Sequence, residues 1–219
     1  MSLRPQRLRP TPRWFSRGYS LTKTVIGLLR HGQTNWNIDF RLQGVTDIPL
    51  NETGIEQAQI AGQVIAKSAV DGQAWDLILS SPLSRARDTA VMVGEAIGIS
   101  GVSIEELLLE RSFGEAEGLS HEEWKTKYND TNHVPGGETL EQLEARAWIL
   151  LQRLLDHHEG KRVLTVSHGA LIRTLLRLVS KGEYPREGER LGNACLSIFE
   201  HSPESGWSIA SYRPQTLSH

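Results

Sequence analysis

The sequence predicts an α/β fold in one domain, with mostly parallel strands joined by helices. Two observations predict it. Short apolar runs alternate along the chain with longer stretches of helical periodicity, which is the pattern of strand-helix-strand units. The helical stretches carry their apolar residues as a stripe, as helices packed on a sheet do. The chain has 219 residues and an apolar fraction of 38%, enough to bury a core without disulfides or a structural metal.

The elements follow in order. Thr24 to Leu29 is a strand of the buried type. From Asn51 a cap-forming Asn-Glu-Thr-Gly leads into Ile55, Ala58, Ile60, Ala61, Val64 and Ile65, a stripe at helical spacing. Asp76 to Leu79 is a second strand, followed by a helix from Pro82 to about Ile97 with proline in its first turn. Phe113 to Gly137, rich in Gly, Glu, Asn and Thr, reads as a long, partly helical excursion. It is either a lid or substrate wall, or a solvated loop anchored by Trp124 and Tyr128. Glu138 to His157 repeats apolar residues at Leu140, Leu143, Ala147, Leu151 and Leu154, a long helix. Arg162 to Val166 is a third strand and Ala170 to Val179 its helix; Cys195 to Phe199 and Trp207 to Tyr212 close the chain as two strands.

Residues 1–22 differ in kind, with arginines at 4, 7, 9, 13 and 17, prolines at 5, 10 and 12, and no acidic residue before Asp39. They read as a basic extension to a domain spanning 23–219. A transit peptide, a solvated extension, cloning residues and a misplaced start codon all fit that composition; the prolines argue against a membrane-bound amphipathic helix. The single cysteine, Cys195, permits no internal disulfide and favours a reducing cytoplasm. No apolar run approaches the roughly 20 residues of a spanning helix. The formal charge of −2 gives no case for a nucleic-acid partner. The oligomeric state is open, a homodimer included.

Three strand ends carry similar residues. The first runs into Arg30-His31-Gly32, the third into Ser167-His168-Gly169, and the second ends in Ser80-Ser81-Pro82 and reaches Arg85 and Arg87 one turn into its helix. Ligands of open α/β sheets bind at the carboxyl ends of the strands, where helix N-termini present free N–H groups. Two histidines and two or three arginines therefore converge on a phosphate-sized site. Glycine after each histidine permits close backbone approach. A metal site is a poor reading, because His31 and His168 lack a third ligand at a recognisable spacing. His121, His133, His157, His158, His201 and His219 have no such context and read as surface or structural residues.

These residues also carry a resemblance. Leu29-Arg30-His31-Gly32-Gln33-Thr34-Asn35-Trp36-Asn37 resembles the opening motif of the histidine phosphatase superfamily, the phosphoglycerate mutase-like proteins. The segments 41–44, 47–51, 80–86, 108–118, 135–138 and 167–169 fall in that family's order, so the similarity covers nearly everything from Thr24 onward. It implies a three-layer α/β/α fold with a mostly parallel sheet and helices on both faces. It also implies phosphatase activity on a small phosphorylated metabolite without metal or cofactor. By the same resemblance His31 is the nucleophile, and Arg30, Arg85 and His168 neutralise the phosphoryl oxygens. Thr34, Asn37 and the Gly169 backbone are supporting donors, Glu110 is the general acid, and Gln43 with Gly44 lies on the substrate side. Arg87 and Arg111 have no secure counterpart.

The chemistry is consistent with those roles. Phosphoryl transfer needs in-line placement and neutralisation of three equatorial oxygens, which two arginines and a cationic histidine supply without Mg²⁺. His31 must be neutral at its attacking nitrogen, its other nitrogen donating to a backbone carbonyl. Glu110 must be protonated for departure of the leaving group and ionised to activate water, which burial beside an anionic substrate favours. Two other readings compete: a cofactor-dependent mutase, and a catalytically silent phosphate-binding protein. By the resemblance, the 58 positions from Glu110 to His168 are fewer than in the cofactor-dependent mutases and hold no adjacent arginine pair for a substrate carboxylate; so short a segment leaves the site open to water and favours hydrolysis.

Overall fold

The structure, a computed structural model, describes residues 23–68 and 74–218; the 1–22 extension lies outside them. The described residues form one mixed sheet from β1 (Thr24–Arg30), β2 (Leu77–Ser80), β3 (Val102–Ile104), β4 (Arg162–Ser167), β5 (Leu196–Ser202) and β6 (Gly206–Ser211). The spatial order is β3-β2-β4-β1-β5-β6. The first four are parallel, and β5 and β6 add an antiparallel flank. The helices are α1 (Asn35–Ile38), α2 (Glu52–Ser68), α3 (Ser84–Ile97), α4 (His121–Tyr128), α5 (Leu140–His158) and α6 (Gly169–Val179).

The period-2 alternation of β1 divides the core. Ile26 and Leu28, with Leu79, Val163 and Phe199, pack against Leu143, Leu150 and Leu154 of α5 and Leu171 and Leu175 of α6. Val25 and Leu29, with Ile78, Leu164 and Val166, face Ala61 and Ile65 of α2 and Ala86, Ala90 and Val93 of α3. The expected α/β/α layering follows, because strands buried on both faces need apolar residues in both registers.

Three elements depart from the sequence expectation. β3 is only three residues long and half-exposed at the sheet edge, too short to show alternation. The four-residue α1 buries nothing and is held by a capping box between Thr34 and Asn37. The helix expected from Pro82 begins at Ser84, with Leu83 in extended conformation at its N-cap. The 113–137 excursion contains α4, capped by Ser120 and Glu123.

Candidate active site

β1, β2 and β4 are parallel neighbours, so their carboxyl ends lie side by side, and the register sets Arg30 opposite Ser167 and Ser80 opposite Val166. His31 therefore leaves the sheet next to His168. Their ring centroids are 5.1 Å apart, with 57° between the planes. His31 is 2% exposed and His168 fully buried.

The His31 ring is fixed from within its own turn. Nδ1 lies 2.6 Å from the Gly32 carbonyl, which can only accept, so the proton sits on Nδ1 and the lone pair on Nε2. The turn is clamped in turn, with Gly32 N–H donating to Thr89 Oγ1 at 3.1 Å. Residue 32 must be glycine because a Cβ there would stand 2.3 Å from the Gly54 carbonyl at the start of α2. Burial, then the charges of Arg30 and Arg85, hold the His31 pKa well below the ordinary imidazole range. The same causes, burial first and then His31, Arg85 and Arg30, depress that of His168. His168 is thus neutral in this arrangement, where the sequence reading expected a cation. Burial is the first cause, with His31 and the two arginines adding to it.

Arg85 spends both guanidinium termini on the scaffold and Arg30 one. Arg85, fully buried, donates to the Thr46 carbonyl at 2.8 Å and the Gly44 carbonyl at 2.7 Å. Arg30 donates to the Leu191 carbonyl. His168 Nε2 lies 2.7 Å from Ser81 Oγ. At this site three buried nitrogens remain with no hydrogen-bond partner among the described residues: Arg30 Nε, Arg85 Nε and His168 Nδ1. An orphaned buried donor is costly, of order 1–3 kcal/mol. Three such donors near His31 form a cradle suited to an anion.

Glu110 stands at the edge of this cradle, at the N-terminus of α6. Its Oε1 accepts from the amides of Arg111 (2.9 Å), Ala170 (3.1 Å) and Leu171 (3.2 Å), while Oε2 shares only the Ala170 donor, at 3.1 Å. Among the described residues, no group of three or more His, Cys, Asp or Glu could hold a metal, and the cationic lining disfavours one.

A family model described as "Histidine phosphatase superfamily (branch 1)" matches residues 26–213. The chain belongs to that superfamily. A curated relative from Bacillus subtilis, "Uncharacterized phosphatase PhoE", is 40% identical over 86% of this chain and 94% of its own. A 2,3-bisphosphoglycerate-dependent phosphoglycerate mutase of Rhizobium meliloti is 32% identical over 70% of this chain and 78% of its own. Among solved structures, a mycobacterial glucosyl-3-phosphoglycerate phosphatase in complex with VO3 superposes with a TM-score of 0.73 at 29% identity, covering 88% of this chain and 99% of that one.

Within this superfamily fold, the remaining residues singled out by sequence fall into two groups. Gln43, Thr34 and Asn37 form one network beside His31. Thr34 Oγ1 donates to Gln43 Oε1 at 3.0 Å, and Asn37 Oδ1 accepts from Thr34 N–H at 3.0 Å. Gly169 opens α6 beside Arg30. Gly44 contributes through its carbonyl on Arg85. Its φ of +55° and the nearby Glu117 carboxylate, 1.9 Å from where a Cβ would stand, explain the glycine. Glu117 itself accepts from Val45, Thr46 and Phe113 amides, tying the 43–46 loop to the excursion. The second group lies away from the cradle. Arg87 is exposed. Arg111 donates to the carbonyls of Glu138 and Thr131, both at 2.8 Å, and so clamps the excursion.

Two residues escaped the sequence reading. Asn193 Nδ2 donates to the His31 carbonyl at 3.1 Å and to Asn37 Oδ1 at 3.1 Å, from 162 positions away from His31. Its only local signal was a Gly-Asn dipeptide before a strand. Arg146 of α5 pairs with Glu138 at 2.6 Å and donates to the carbonyls of Leu107, Leu109 and Glu110, so it holds the segment that carries Glu110. In a helical pattern it looks like any polar-face arginine.

Proposed function

We propose that the protein hydrolyses small phosphomonoesters through a phosphohistidine on His31, without metal. The observation that carries this reading is the Nε2 lone pair of a neutral, buried His31 surrounded by the three unpartnered donors of Arg30, Arg85 and His168. The phosphoryl group sits on those donors, and Nε2 attacks phosphorus in line with the ester oxygen. As the N–P bond forms, the P–O bond breaks, and the leaving oxygen takes a proton from Glu110. Oε2 is the oxygen suited to carry that proton, since Oε1 already accepts three amides. Water then attacks phospho-His31, its proton passes to Glu110, and inorganic phosphate leaves, restoring both residues. Cys195 is no competing nucleophile: it is buried and its thiol is pushed up to about 11 by burial.

The family match over 26–213 supports reading 23–219 as one catalytic domain. A glycerate-type phosphoester, of the kind named for the mycobacterial relative, heads the substrate panel. The mutase reading draws on the Rhizobium meliloti relative. Against it, Arg111 and Arg146 are spent on backbone carbonyls and a carboxylate, and no adjacent arginine pair lies between Glu110 and His168 to receive a substrate carboxylate. A single, buried cysteine offers no internal disulfide, which fits a cytoplasmic setting. The deciding experiment incubates the protein with a ³²P-labelled phosphoester. Label on the wild type but not on His31→Ala, with release of inorganic phosphate, is expected. Label passed to an added acceptor rather than water would favour the mutase, and no turnover of an aryl phosphate would favour a silent binder.

A further inference from the structure

The geometry points to Ser81 as a positioning residue: its hydroxyl donates to His168 Nε2 and so keeps the His168 proton on Nδ1, the nitrogen offered to the phosphoryl group. The inference rests on the phosphatase reading for its consequence, though not for its geometry.

Ser81 follows β2 and His168 follows β4, and the pairing of these strands brings the two together. Ser81 N–H donates to the Val166 carbonyl at 3.0 Å, which pins the serine backbone to the neighbouring strand end. Both residues are fully buried. The Ser81 hydroxyl has two neighbours, the Leu83 amide at 3.4 Å and His168 Nε2 at 2.7 Å. The amide can only donate. The hydroxyl proton therefore has one acceptor, His168 Nε2, and that bond requires Nε2 to carry a lone pair. The alternative tautomer would leave the Ser81 hydroxyl without an acceptor in a dry site and would turn a bare Nδ1 lone pair on an anionic phosphoryl oxygen. Both penalties act in the same direction. Burial, and then the charged groups around His168, namely His31, Arg85, Arg30 and Arg146, disfavour a second proton, so tautomer choice rather than charge is what the serine controls. The backbone adds nothing to this choice, because His168 is the N-cap of α6 and its side chain caps no amide.

The test is long-range ¹H–¹⁵N correlation of imidazole nitrogens, with His168 assigned by its loss in His168→Gln, alongside vanadate affinity. The wild type is expected to show protonated Nδ1 and bare Nε2. Ser81→Ala should move proton population to Nε2 and weaken vanadate binding about tenfold, the worth of one correctly offered buried donor. Ser81→Thr, which keeps the hydroxyl, should retain the wild-type spectrum. Ser81→Cys, a weak donor of similar size, should lie between and serves if the alanine variant does not fold. A wild-type spectrum in Ser81→Ala or Ser81→Cys, or a wild-type His168 protonated on Nε2, overturns the proposal. Failure of the phosphatase reading looks different: the wild type would neither bind vanadate nor turn over any phosphoester, whatever the His168 tautomer.

Discussion

His31 and His168 enter the site in the same local form, a histidine between an apolar parallel strand and a glycine, yet they offer opposite edges of the ring. His31 is held at Nδ1 by the carbonyl of its own neighbour Gly32 and exposes a lone pair at Nε2. His168 is held at Nε2 by a hydroxyl from another strand and has an unpartnered Nδ1. Both are neutral for the same reasons, burial and the arginines beside them. What separates the proposed nucleophile from the proposed donor is the group bound to the far nitrogen: a carbonyl forces that nitrogen to carry the proton, and a hydroxyl can donate one to it.

The comparison breaks most sharply at His31. His31→Ala should abolish turnover and ³²P labelling while the thermal midpoint stays within a few degrees, because no second group can form the covalent intermediate. An active variant would end the phosphohistidine mechanism. Glu110→Gln comes next, with a loss of about 10² to 10⁴ in kcat on an alkyl phosphate, whose leaving oxygen needs a proton. On para-nitrophenyl phosphate, phospho-His31 should form with little loss and hydrolyse slowly, so a burst of nitrophenol precedes a slow steady state. Equal slowing of burst and alkyl turnover would make Glu110 a structural cap of α6. His168→Gln should cost less than His31→Ala, on the order of 10² to 10³ in kcat, as removal of one preformed oxyanion donor does. Vanadate should protect the wild type thermally and His168→Gln less. EDTA should leave activity intact, and restoration of an EDTA-treated enzyme by a divalent cation would overturn the metal-free reading.

The difference between the histidines also marks where sequence reasoning stops. That both lie at strand ends was legible, because apolar runs of four or more residues ending in His-Gly are local. The parallel pairing of β1, β2 and β4 then followed from the α/β pattern. The tautomers were only half legible. Gly32 is adjacent to His31, so a backbone carbonyl in the turn could be foreseen. Ser81 is 87 positions from His168, and its hydrogen bond exists only once strand order is known. Asn193 and Arg146 were missed for the same reason, since their partners lie across the fold. The charge expected on His168 missed its burial and the summed charges of His31, Arg85 and Arg30, which exist only in three dimensions. β3 and α1 were missed on length, as neither is long enough to display a period.

The smallest expected effect concerns pH and tests the neutrality shared by the two rings. A histidine whose pKa is depressed by folding binds fewer protons folded than unfolded, so stability is lost as pH falls below the ordinary value of 6.5 and is fully present above it. The maximum slope is about 1.4 kcal/mol per pH unit for each such group. At roughly 2–4 °C per kcal/mol for a protein of this size, the thermal midpoint should fall by several degrees between pH 6.5 and 5.5, a window in which carboxylates titrate little. Burial also depresses His158 and His201, which are partly exposed and contribute less. His168→Gln removes one of the two fully buried imidazoles and should flatten the dependence by about one group's share, whereas His158→Gln should change it less. Because the proposed function has phosphate binding the same cradle, the measurement belongs in a buffer without oxyanions. An unchanged slope in His168→Gln would mean that the ring is already protonated at neutral pH, and the pairing of two neutral histidines with opposite tautomers would have to be abandoned.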